Sequence, residues 1–193
     1  MEKKKRIHQF YQSSEDIPLI LDSYQDLFSD FDPRPYSEKA LSEDFLFECR
    51  KASAEKKGRI HLKLFMPKSK RNSLDEIKIK KRLREHFHKH FLEKKREVDK
   101  IKLSGFTWFL SGCFIMILTA IFLSDDQESF LFNLLISLAH PAGWFFLWEG
   151  LSKILITSKE HKPSYWFYQK MSNAVISFSD CKQLHEKFFN KKF

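Results

Sequence analysis

Two stretches of the chain break the mixture of apolar and charged positions found everywhere else. Residues 105–123, GFTWFLSGCFIMILTAIFL, run for 19 positions without a charge. As a helix such a run reaches about 28 Å, the depth of a hydrocarbon core. Residues 130–148, FLFNLLISLAHPAGWFFLW, form a second uncharged run, and apolar residues continue to 156 past Glu149 and Lys153. Both runs predict membrane-spanning helices, at about 105–123 and 130–156. Two buried helices of a soluble protein are the competing reading, and they need a larger core than 193 residues supply. Only SDDQES (124–129) separates the runs, with three acids and no base, so the helices are expected to be antiparallel neighbours.

Ahead of the first run, Ser73 followed by Glu76 has the spacing of a capping box and predicts a helix start. Apolar residues recur at Leu74, Ile77, Leu83, Phe87, Phe91, Val98 and Ile101, and neither Pro nor Gly intervenes before Gly105. One long helix feeding directly into the first span is expected. Ile60, Leu62, Leu64 and Met66 alternate with mostly polar neighbours and are closed by Pro67, the pattern of a half-buried strand. A lone strand is unstable, and the comparable run is AVISFS at 174–179. These two strands are expected to pair and to close the N- and C-terminal segments into one small domain. Residues 17–28 predict a short helix. The segment from Asp30 to Tyr36 reads as a turn into a helix from near Ser37 to about Ala52, and 181–193 as a short amphipathic helix using Leu184, Phe188 and Phe189.

The expected fold is thus an α+β membrane protein, a two-helix transmembrane hairpin with a small cytoplasmic α/β domain formed by the N- and C-terminal segments. Its borders fall at 1–103, 104–157 and 158–193.

Charge adds orientation. The formal net charge is +9, from 34 basic and 25 acidic residues, and between Lys78 and Lys102 there are eleven bases to four acids. Lys153, Lys159 and Lys162 follow the second run, whereas the connector is acidic. The positive-inside rule therefore places both termini in the cytoplasm. A basic helix beside a membrane attracts anionic headgroups, and Lys94, Lys95, Arg96, Lys100 and Lys102 are the expected lipid contacts. Nucleic acid would also need a groove-reading element or stacking aromatics, which weighs against it as a partner. MEKKKR at the start has the charge of a signal peptide but lacks the apolar core after it, so the N-terminus is expected to stay uncleaved and untranslocated.

Candidate chemistry is sparse. Cys49, Cys113 and Cys181 have no metal or disulfide spacing, and the five glycines form no phosphate loop, so no cofactor is expected. Asn133, His140, Glu149 and Lys153 are polar candidates within apolar sequence. Glu149 and Lys153 stand at i, i+4 and can neutralise each other. Pro141 predicts a kink near Ser137, and Ala139, Ala142 and Gly143 are small enough to admit a neighbouring helix. His86 and His90 share a helical face at i, i+4 and form a weak metal candidate without an evident third ligand. Asp30, Asp32 and Arg34 read as turn residues, with a charged site as the alternative.

Five features together resemble a family of bacterial two-span inner-membrane proteins of uncharacterised activity. They are Asp-Pro-Arg-Pro-Tyr (32–36), a strand ending in Pro67, Arg-Leu-Arg-Glu-His-Phe (82–87), Gly-Trp-Phe-Phe-Leu-Trp (143–148) and a short C-terminal strand. The resemblance covers most of the chain and implies its architecture and an inner-membrane location, with no activity. Where the family continues with Arg-Pro-Leu-Glu, this chain has Glu149, Gly150, Leu151 and Ser152, so no role for that acid carries over. The function expected is a non-enzymatic membrane anchor or accessory subunit, binding a protein partner or a second copy of itself. A small oligomeric channel or transporter using Asn133, His140 and Glu149 is the alternative.

Overall fold

The computed structural model describes residues 15–56, 58–123 and 130–182. In chain order the elements are β1 (Asp16–Ile20), a 3-10 turn (Tyr24–Leu27), α1 (Glu43–Ala54), β2 (His61–Met66), a second 3-10 turn (Lys68–Lys70) and α2 (Ser73–Leu123). Then follow α3 (Phe130–Ser152), a π turn (Lys153–Thr157), α4 (Ser158–Ser172) and β3 (Val175–Asp180). The chain is mostly helical with one three-stranded sheet, an α and β fold. The acidic connector at 124–129 and the expected helix beyond residue 182 lie outside the described residues.

Two compact units emerge, one comprising Met1–Phe91 with Trp166–Phe193 and the other Leu92–Tyr165. The borders expected at 103/104 and 157/158 mark where apolar sequence starts and stops. Packing changes earlier and later than that, because α2 and α4 each run across the transition.

The first unit is built on a parallel sheet in the order β1-β2-β3. The expected pairing of 59–66 with 174–179 is present, in the register Leu62↔Ile176 and Leu64↔Phe178. The short helix expected over 17–28 is replaced by a strand and a 3-10 turn. Ile17 pairs with Leu62 and Leu19 with Leu64, while Pro18, which has no N–H to give a ladder, is accommodated because β1 is an edge. Parallel neighbours in this order step the same way twice, and right-handed crossovers then lie on one face. The core agrees: Ile17, Leu62, Leu64, Met66, Ile176 and Phe178 form a single cluster with Phe45, Cys49, Ile79, Leu83, Phe87, Phe167 and Met171 of the helices. Phe65, though buried, belongs to the opposite face and stays outside that cluster. The second crossover is the long one, so the second unit is an insertion within a β-α-β connection.

Helix ends depart from the sequence reading in two places. α1 starts at Glu43 rather than near Ser37, because residues 28–41 close a loop first: Phe28 bridges Leu41, and Ser29 N–H donates to the Ala40 carbonyl. At its far end, Lys170 Nζ donates to the carbonyls of Ser53 and Lys56 at 3.1 and 2.7 Å, a cation on the negative pole of α1. The start of α2 is capped by Asn72, whose Oδ1 accepts the Leu74 N–H at 3.0 Å, and not by a Ser73–Glu76 box. Glu76 instead accepts from Arg71 (Nε to Oε1 2.6 Å, Nη2 to Oε2 3.1 Å), and Arg71 reaches the Phe178 carbonyl at 3.4 Å. The buried face of α2 is Glu76, Ile79, Leu83 and Phe87, while Leu74 and Ile77 are exposed, a shift that this cap and ion pair impose.

Candidate functional site

In the second unit, α2 and α3 pack antiparallel through glycine. A Cβ on Gly112 would stand 2.8 Å from the Gly143 carbonyl oxygen, and one on Gly150 would stand 2.6 Å from the Gly105 carbonyl oxygen. Both gaps are shorter than carbon tolerates, so the two backbones touch here only because no side chain intervenes. The seam repeats every seven residues: Gly105, Gly112 and Thr119 are buried on α2, and Ile136, Gly143 and Gly150 on α3. A seven-residue period keeps one face of each helix on its neighbour along a shallow left-handed crossing. Ala139 and Ala142, expected at this contact, are only half-buried. α3 is unbroken through Pro141.

Four hydroxyls on these helices bond within their own turns. Thr107 donates to the Ser104 carbonyl, Ser111 to Thr107, Thr119 to Met116 and Ser137 to Asn133, at 2.8 to 2.9 Å. Glu149 and Lys153 form the ion pair their spacing suggests, at 3.4 Å, and Lys153 Nζ lies 4.3 Å from the Trp108 ring centroid. Trp108 in turn stacks on Phe146 with centroids 4.7 Å apart. The acid is therefore neutralised by a cation that is itself held on an aromatic face. Asn133 and His140 are exposed on α3, and His140 has no hydrogen bond, ion pair or ring contact.

The expected lipid contacts divide. Lys94 is taken by Glu97 at 2.8 and 3.0 Å, whereas Lys95, Arg96, Lys100 and Lys102 are exposed. In the first unit, Asp32 and Arg34 clamp their own loop: Arg34 Nε and Nη2 donate to the two Asp32 oxygens at 2.9 and 2.7 Å, and the Ala40 N–H reaches Oδ2 at 2.6 Å. The Arg34 guanidinium, helped by the Ala40 amide, holds the Asp32 carboxyl well below the usual carboxylate range. Asp30 is exposed and takes no part, so the brace of this turn is the Asp32–Arg34 pair.

His86 and His90 do stand together, with ring centroids 4.3 Å apart, and His90 stacks on Tyr168. His86 Nε2 is buried without a partner, and burial, aided by His90, Arg82 and Lys89, lowers its pKa to about 4. Among the described residues no three His, Cys, Asp or Glu side chains converge to hold a metal ion, so the pair lacks a third ligand. Burial also pushes the Cys49 thiol above its ordinary value, which leaves it an inert core residue.

Of the seam glycines, Gly143 was expected at the contact, and sequence reasoning missed Gly105, Gly112 and Gly150. Their signal was present, since four of five glycines in the chain fall in two pairs seven apart.

Comparison with protein-family models, with curated proteins and with solved structures finds no match to this chain.

Proposed function

We propose that the chain is a non-enzymatic inner-membrane protein of bacteria whose hairpin anchors the α/β unit at the cytoplasmic face, where that unit binds a protein partner. One observation carries the membrane part: only 17% and 11% of the apolar windows of the two long helices are buried. Core helices of a soluble protein would be mostly covered. Here Phe114, Ile117, Ile121, Leu131 and Leu135 are each at least 60% exposed, a surface that water would penalise and acyl chains accept. Internally bonded hydroxyls suit a medium without water, and the free cations Lys95, Arg96, Lys100 and Lys102 suit anionic headgroups at its edge. The channel alternative is weakened at Glu149, because the carboxylate it needs is already paired with Lys153.

Carbonate extraction with an alkaline phosphatase reporter at 124–129 tests the membrane reading. The expected result is a carbonate-resistant protein, with an active reporter at the connector and an inactive one at either terminus. Monodisperse protein in detergent-free buffer overturns it. Copurification in mild detergent tests the partner, and recovery of the chain alone or only with copies of itself removes that part of the proposal.

A further inference from the structure

Parallel sheets occur with both faces covered, because their strands bury side chains on two sides. In the α/β unit one face is accounted for, by the cluster that α1, α2 and α4 complete. Alternation along the strands puts Ile20, His61, Phe65, Val175 and Ser179 on the other face. The two ends of this second face differ. At one end Val175, beside His61, is 37% exposed, whereas at the other Phe65, beside Ser179, is 4% exposed. Phe65 stands outside the cluster of buried residues, so its ring is covered by something else. Ile20, on the edge strand at the same end, is 54% exposed, which places that cover over β2 and β3.

The chain brings one of its own segments to this end of the sheet. Residues 1–14 precede β1 and enter where Val175 is open. Residues 183–193 follow β3 and leave where Phe65 is closed. Just past the strand, Asp180 Oδ1 accepts the Lys182 N–H at 3.1 Å, the bond of an N-cap, and residues 181 and 182 are helical. Continued as a helix, the eleven residues 183–193 reach about 16 Å, against about 10 Å across three strands. Cys181, Leu184 and Phe188 then share one side of it, at i, i+3 and i+7. We propose that residues 183–193 dock on the second face of the sheet, with Leu184 and Phe188 over Phe65. The tail is an intramolecular cover, and a protein that binds this end of the face must first displace it. The inference concerns the α/β unit alone and does not depend on the membrane reading.

The test uses the full chain in mild detergent, with Cys181→Ser to remove the nearest thiol. Maleimide labelling is followed by peptide mass spectrometry at Ser179→Cys, beside Phe65, and at Val175→Cys, at the open end. Leu184→Asp combined with Phe188→Asp is expected to speed labelling at position 179 roughly ten- to hundredfold, the effect of losing the burial of a large apolar side chain. Labelling at position 175 is expected to be unchanged, and a chain ending at Lys182 is expected to behave in the same way. Equal rates at 179 with and without the tail, or an acceleration at 175 as large as that at 179, overturns the proposal. Acceleration at 179 on removal of residues 1–14 instead gives the cover to the N-terminal segment and overturns it too. A rate at 179 that falls as the full chain is concentrated gives the cover to a second copy, with the same consequence.

Discussion

The two ends of α2 show the same kind of residue used in opposite ways. Toward its start Ile79, Leu83 and Phe87 are fully buried, and toward its end Phe114, Ile117 and Ile121 are 60% exposed or more. In the α/β unit, apolar area removed from water holds the elements together. In the hairpin the apolar area points outward and the helices are held by backbone approach through Gly105, Gly112, Gly143 and Gly150. One helix thus passes from a region whose apolar residues are buried to one whose apolar residues are exposed, and the proposed membrane reading rests on that contrast.

The contrast is most exposed to a matched pair of substitutions. Phe87→Ala should cost about 3–5 kcal/mol of the α/β unit's stability, by loss of transfer energy and creation of a cavity, read as a lower urea midpoint. Phe114→Ala should leave that midpoint unchanged; an equal loss would mean that both ends of α2 face the same solvent. Next in size is Gly112→Leu, which places a side chain against the backbone of Gly143 and Leu147 and should cost about 1–3 kcal/mol. Spin labels at Ile117 and Leu138 should then move apart. Gly58→Ala provides the control, because the added carbon there meets only the flexible Glu15 side chain. If Gly112→Leu leaves the label distance unchanged, the seam is not what holds the hairpin.

A smaller effect should appear on acidification, in the α/β unit alone. His86 has its pKa lowered from 6.5 to about 4 in the folded chain, so the unfolded chain takes up a proton first as the pH falls. Stability should therefore decline from pH 6.5 toward 4 and be undiminished by this group above 6.5. The decline should be shallower in His86→Asn, and an identical profile would remove burial of His86 as its cause. The smallest change should come from Asp32→Asn, which loosens an exposed brace. Faster hydrogen exchange at the Ala40 amide, with the urea midpoint nearly constant, is the expected result.

Much of the architecture could be read along the chain, and the exceptions are instructive. The two apolar runs, the helix leading into the first, the strand before Pro67 and the pairing of Glu149 with Lys153 all depend on neighbours within a turn or on the composition of a single segment. β1 was hidden because DIPLI has five residues and an internal proline, which reads as a poor strand until an edge position makes the missing N–H harmless. Ser73 was a plausible cap, but Asn72 takes the position, fixed by the Tyr24 hydroxyl on its own N–H at 2.8 Å. Among the candidate residues, the Asp32–Arg34 brace and the His86–His90 neighbourhood were visible in their spacing, whereas the stacking of His90 on Tyr168, far along the chain, was not.

By itself the sequence determined where the apolar runs lie and which flanks carry positive charge, since transfer free energy is a property of a segment; that the second helix continues through a π turn to Ser172 was not expected. Only the tertiary structure decided the parallel register of the three strands, which face of α2 is buried, and that glycines seven apart meet across the hairpin. Those depend on which distant residues come together, and pairings of that kind leave no local period to read.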